Sequence, residues 1–157
     1  MTIIARLLTI ALLLLPALPV QGRTLYQNDA EMSNAARQAF EETLDIWRAG
    51  RYDELYERTH ISGRISREEF ARKLENASRK PACCWQKLQD VSARVERDDL
   101  VVVKAKVGLE GGGDIEYRTR SYRLVQEGDR WKISQADIFN LAGAKGKKRG
   151  SKAKKNQ

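Results

Sequence analysis

Leu100-Val101-Val102-Val103-Lys104-Ala105-Lys106-Val107-Gly108-Leu109 carries a period of two. Val101, Val103, Ala105, Val107 and Leu109 form one apolar row, and Lys104 and Lys106 point the other way. Successive side chains of a strand project to opposite faces, so this stretch predicts a strand with one buried and one wet face.

The same period extends on both sides. Upstream, Val91, Ala93 and Val95 alternate with Ser92, Arg94 and Glu96. Downstream, Glu110-Gly111-Gly112-Gly113-Asp114 reads as a turn, because clustered glycines accept positive φ. A third strand is expected from Ile115 to about residue 126. Its parity conflicts: Ile115 and Tyr117 share one face, whereas Tyr122 and Leu124 share the other. A bulge near Thr119–Ser121 would reconcile them. Glu127-Gly128-Asp129 then closes a hairpin into a last strand, with Trp131, Ile133, Gln135, Asp137 and Phe139 on one face.

Before Pro81 the period is 3.6. Ala36, Phe40, Leu44 and Trp47 lie on one helical face, with Asn28 and Asp29 as cap-type residues ahead and Gly50 behind. A short helix carries Leu55 and Tyr56. A third helix begins at the capping box Ser66-Arg67-Glu68-Glu69 and buries Phe70, Leu74 and Ala77. Three helices followed by four meandering antiparallel strands predict an α+β domain, the helices gathered on one face of a strongly curved sheet.

The pattern resembles the nuclear transport factor 2-like superfamily, which includes ketosteroid isomerase, scytalone dehydratase and polyketide-cyclase relatives. The resemblance rests on Trp47-Arg48-Ala49-Gly50-Arg51-Tyr52, on Ser66–Leu74, and on Tyr122-Arg123-Leu124-Val125 paired with Asp129-Arg130-Trp131-Lys132-Ile133. It covers about residues 30–141 and implies a cone, with Phe40, Trp47, Trp131, Ile133 and Gln135 as its lining. It also implies a homodimer through the outer face of the sheet.

Few residues offer chemistry. A carboxylate on the apolar face needs partners or a raised pKa, so Asp137 is a candidate general base, with Tyr117 as a hydrogen-bond donor. The competing expectation is an Asp137 near the strand end, solvated or paired with an arginine. His60 is the single histidine and a third candidate for acid–base work. His60, Cys83 and Cys84 lack zinc spacing, and the three adjacent glycines do not precede a helix. No metal or cofactor is therefore expected.

Cys83-Cys84 leaves three fates open: a vicinal disulfide, an intermolecular bridge, or reduced thiols. Adjacent Cα atoms stand about 3.8 Å apart, shorter than the ordinary disulfide range of about 4.4–6.8 Å, so a vicinal bond would be strained.

The chain ends are distinct in composition. Residues 1–22 combine Arg6, an apolar run from Leu7 to Leu15 and Val20-Gln21-Gly22, the pattern of a cleavable export signal. The expected destination is the periplasm or the extracellular space. The full chain has 29 Lys and Arg against 21 Asp and Glu. Removing residues 1–22 deletes only Arg6, and residues 143–157 hold seven of the remaining 28 cations, so residues 23–142 balance at 21 against 21. The cations of that tail are Lys145, Lys147, Lys148, Arg149, Lys152, Lys154 and Lys155. With no large apolar residue the tail is expected to be disordered. It predicts contact with an anionic membrane or cell-wall polymer, against the plainer role of a solubilising terminus.

The functional expectation is an exported binding or accessory domain for a small apolar ligand or a protein partner, tethered by its basic tail. The alternative is a lyase or isomerase using Asp137. Export and the absence of interleaved aromatics in the tail argue against intracellular nucleic acid.

Overall fold

The structure, a computed structural model, describes residues 25–61, 63 and 65–144. The export signal and the basic residues of the tail lie outside them. Helix α1 spans Leu25–Arg48, α2 Tyr52–Glu57, α3 Arg67–Glu75 and α4 Gln135–Ala142. The strands are β1 Thr59–His60, β2 Lys80–Pro81, β3 Leu88–Arg97, β4 Leu100–Gly111, β5 Asp114–Glu127 and β6 Arg130–Ser134. The class is α+β, with four helices on a mixed, open sheet of six strands rather than three on four.

The sheet runs β1-β6-β5-β4, with β2 and β3 both along the far edge of β4. Only β1 and β6 are recorded as parallel. Val101, Val103, Ala105, Val107 and Leu109 are fully buried on the inner face. Ala36, Phe40 and Leu44 of α1 are equally buried against them, and the Phe40 and Tyr122 rings lie 4.8 Å apart. Burial of this apolar area is the main stabilising term.

Three sequence expectations are corrected. Helix α1 begins at Leu25, so Asn28 and Asp29 sit inside it rather than capping it. β5 has no bulge at Thr119–Ser121: its pairing with β4 is unbroken from Leu100 opposite Val125 to Gly111 opposite Asp114. The inner positions of its first half are simply charged. Glu116, Arg118 and Arg120 stand opposite Leu109, Val107 and Ala105, where Arg118 Nη1 donates to the Asn140 carbonyl at 3.3 Å. The irregularities fall on β3 instead, between Gln89 and Ser92 and between Val95 and Arg97.

The third correction is that the last strand stops at Ser134. Ser134 is an N-cap whose Oγ accepts from the Asp137 N–H at 3.1 Å. The next residues turn into α4, burying Ile138, Leu141 and Ala142, and Gly143 ends the helix at φ 71°. Gln135, Asp137 and Phe139 therefore belong to a helix and do not share a strand face with Trp131 and Ile133. Among the described residues no helix is long and apolar enough to cross a membrane.

Candidate functional site

The three predicted acid–base residues do not form one site: His60 pairs with Ser134, to which Asp137 is hydrogen-bonded, but Tyr117 lies elsewhere on the sheet. Asp137 sits in the first turn of α4, where its Oδ2 accepts from Ser134 Oγ at 2.7 Å. It holds the hydroxyl of the Ser134 cap and lies at the helix N-terminus, where negative charge is favoured. Tyr117 stands opposite Gly108 on the outer face of the sheet, 38% exposed, with Lys106 Nζ 4.6 Å from its ring centre. His60 lies on β1, where its Nδ1 meets Glu127 Oε1. Glu127 also accepts from Lys132 at 3.0 Å, and these two partners hold its carboxyl below the ordinary range. Tyr117 and Glu127 are ten residues apart on one strand, roughly 30 Å at about 3.3 Å per residue. One substrate cannot touch both.

The five residues expected to line a pocket are packed into the interior. Phe40 and Ile133 are fully buried, Trp47 is 1% exposed, Gln135 3% and Trp131 7%. Five concavities on the described residues, between about 230 and 570 Å³, are lined by none of these five. Tyr122, assigned no role from sequence, lies beneath the helices, and burial pushes its hydroxyl pKa up to about 12. Its Oη and Gln135 Nε2 are buried without a hydrogen-bond partner among the described residues. No group of three or more His, Cys, Asp or Glu among those residues is arranged to hold a metal ion.

The surface carries two built features. The first is at the edge of β4. Lys80 pairs with Glu110 and Pro81 with Leu109, and pairing resumes with Leu88 opposite Val107. Gly108 stands between. Its carbonyl accepts from the Ala82 N–H at 2.9 Å, and its own N–H donates to the Lys87 carbonyl at 3.2 Å. The residues from Ala82 to Lys87 thus oppose a single residue, and Cys83-Cys84-Trp85-Gln86 form an excursion between β2 and β3 on the same edge.

A disulfide joins the adjacent Cys83 and Cys84 at the start of this excursion, and Cys84 adopts φ 58°, a left-handed value rare outside glycine. Trp85 at its tip is 73% exposed. The base is firmly held. Glu110 Oε1 accepts from the Cys83 N–H at 3.1 Å and from Arg48 Nη1 at 2.8 Å, and Arg48 also donates to the Pro81 carbonyl. The Arg48 guanidinium is the main reason that the Glu110 carboxyl lies below its ordinary value. On the other side, Lys87 Nζ reaches both Asp45 carboxylate oxygens at 2.6 Å and Glu41 at 3.3 Å. Burial alone would lower the Lys87 pKa, but these two carboxylates outweigh it and raise the ammonium above its usual value.

The second feature is the outer face beside the excursion. Lys104, Lys106 and Gly108 follow one another at alternate positions of β4, and Gly108 is covered by Gln86. Opposite them on β5 stand Ser121, Thr119 and Tyr117, followed by Arg123 opposite Val102. A groove of about 230 Å³ runs between Ser92, Ala93, Arg94, Val102, Lys104 and Ser121. Arg94 pairs with Glu96 and Lys132 with Glu127, whereas Lys104, Lys106 and Arg123 meet no carboxylate among the described residues. The lysine alternation was legible from sequence, but the meeting of the excursion with Gly108 and Tyr117 was not, because only the strand register makes it.

A scan against models of known protein families finds no match, and a search of curated proteins finds none either.

Proposed function

We propose that this chain is an exported binding domain of the nuclear transport factor 2-like type, without a reaction of its own, that holds to an anionic surface. The observation that carries this reading is the outer sheet face, where Lys104, Lys106 and Arg123 stand free of carboxylates among the described residues. Such cations attract a polyanion with a strength that falls steeply with salt. The cations of the tail, from Lys145 to Lys155, extend the same charge beyond the domain. An interior apolar ligand does not enter this reading, since Phe40, Trp47 and Ile133 are buried and line none of the five concavities described above. Nor does Asp137 catalysis, since that carboxylate is tied to the Ser134 hydroxyl.

The test is retention on immobilised heparin and on anionic vesicles at low and high salt. The mature chain is compared with a Lys104→Glu, Lys106→Glu, Arg123→Glu variant and with a chain ending at Ala144. Retention that falls for both altered chains supports the reading. Unchanged retention of the triple variant defeats the role of the sheet face, and unchanged retention of the shortened chain defeats the role of the tail.

A further inference from the structure

We infer that the Trp85 excursion, with Tyr117 and Lys106 beside it, is a stacking subsite for a sugar ring of an anionic polysaccharide. The inference rests on the reading of the outer face as a polyanion surface and names the class of polymer it takes.

A regular ladder needs one residue opposite Gly108, yet the chain spends the whole stretch from Ala82 to Lys87 there. Strand pairing continues on either side, so the extra residues add nothing to the sheet. What they add is a tryptophan held out in solvent at 73% exposure. Large aromatic side chains dominate burial in cores and interfaces, so one displayed in this way has forgone its own burial.

The ends of the excursion are held: Glu110 accepts from the Cys83 N–H, and Lys87 is fixed to Asp45 and Glu41. A loop anchored before binding loses less entropy when a ligand arrives.

The surroundings select the ligand. Gln86 places its carbonyl 2.2 Å from where a Gly108 Cβ would be, and Tyr117 Cε1 lies 3.1 Å from the same point. The base of the excursion and the Tyr117 ring are therefore neighbours, and Lys106 lies over that ring. Tyr117 stands on the sheet face that carries Lys104, Lys106, Thr119 and Ser121, not inside an apolar patch. A protein interface centres on buried apolar anchors, whereas the residues around Tyr117 on this face are Lys104, Lys106, Thr119 and Ser121. A sugar ring needs much less: one electron-rich aromatic face for its C–H groups, hydroxyl partners, and a cation for its carboxylate or sulfate. The row from Lys106 to Lys104 and the groove past Ser121 would carry the next residues of the polymer.

The experiment measures the affinity of the mature protein for polygalacturonate, inorganic polyphosphate and oligothymidylate at one low salt concentration. It uses the unaltered chain, Trp85→Ala, and Lys104→Glu with Lys106→Glu. Trp85→Ala removes a side chain that is mostly in water, so its melting temperature should match that of the unaltered chain. The expected result is a loss of about tenfold for polygalacturonate on Trp85→Ala, with polyphosphate binding changed by less than about twofold. Unchanged polygalacturonate binding overturns the inference, as does equal loss for polygalacturonate and polyphosphate. Parallel loss for polygalacturonate and oligothymidylate overturns it in favour of single-stranded nucleic acid, where aromatic stacking also operates. If the lysine reversal leaves all three polymers equally bound, the underlying polyanion reading of the sheet face fails, whatever Trp85 does.

Discussion

The carbonyl oxygen of Gln86 lies where Gly108 has no side chain, 2.2 Å from the place a Cβ would take. The excursion can lie over the sheet only because that position is glycine. Gly108→Ala is expected to cost about 1–3 kcal/mol, since the obstacle is backbone and cannot rotate away. Thermal unfolding measures the loss. Quenching of Trp85 fluorescence by iodide should change with it, because the tip must move.

Gly50 and Gly143 share φ 71° but differ in surroundings. Nothing lies within 4 Å of a Cβ at Gly50, whereas one at Gly143 would meet Arg79 Nη2 at 2.4 Å. Gly50→Ala should therefore cost only the backbone penalty, about 1 kcal/mol. Gly143→Ala should cost more, since it must also displace the arginine held by Glu116. Equal losses in denaturant titrations of the two variants would contradict this assignment.

Ser134→Ala removes the cap of α4 and should destabilise the domain by about 1 kcal/mol. Asp137→Asn keeps an oxygen for the Ser134 hydroxyl and should be milder. A larger loss for Asp137→Asn than for Ser134→Ala would count against a capping role.

Stability should fall in acid. Glu110, Glu116 and Glu127 each have a folded pKa below the ordinary 4.5, owing chiefly to Arg48, Arg118 and His60 respectively. A group with a depressed folded pKa contributes stability that is complete above its unfolded value and disappears as pH falls through its folded value. Urea midpoints should thus be flat above about pH 5.5 and decline from about pH 4.5 downward. Glu110→Gln should flatten part of that decline. A midpoint that rises on acidification would refute the assignment.

The homodimer suggested by the family resemblance would lay the face that carries Lys104, Lys106 and Arg123 against the same face of a second copy. Like charges so placed repel, and salt relieves the repulsion. Sedimentation should show a monomer at low salt, with any dimer gaining from added salt. A stable low-salt dimer abolished by Lys104→Glu would reverse this expectation.

Much of the frame was legible. The inner row of β4, the Ala36-Phe40-Leu44-Trp47 face of α1 and the Ser66 cap of α3 are local patterns, and each appears where its spacing requires. The end of β6 was misread because Phe139 happens to continue the parity of Trp131 and Ile133. The competing signal was present in the Ser134 cap, the spacing of Ile138, Leu141 and Ala142, and Gly143. β5 was misread because its inner face turns from apolar at Tyr122 to charged at Arg118, so hydrophobicity stopped reporting direction. The partners of Glu110 and Glu127 lie far away in sequence, and no local pattern announces them.

A sheet that ends in an unpaired strand offers a row of backbone donors and acceptors on which another chain can assemble. On the β4 side, the outermost strand would run from Lys80 to Arg97 if the chain took the shortest course past Gly108. Cys83–Gln86 cut that row in two, leaving Lys80 and Pro81 as one short piece and β3 as the other. The same four residues that display a tryptophan thus interrupt the edge along which another chain could pair.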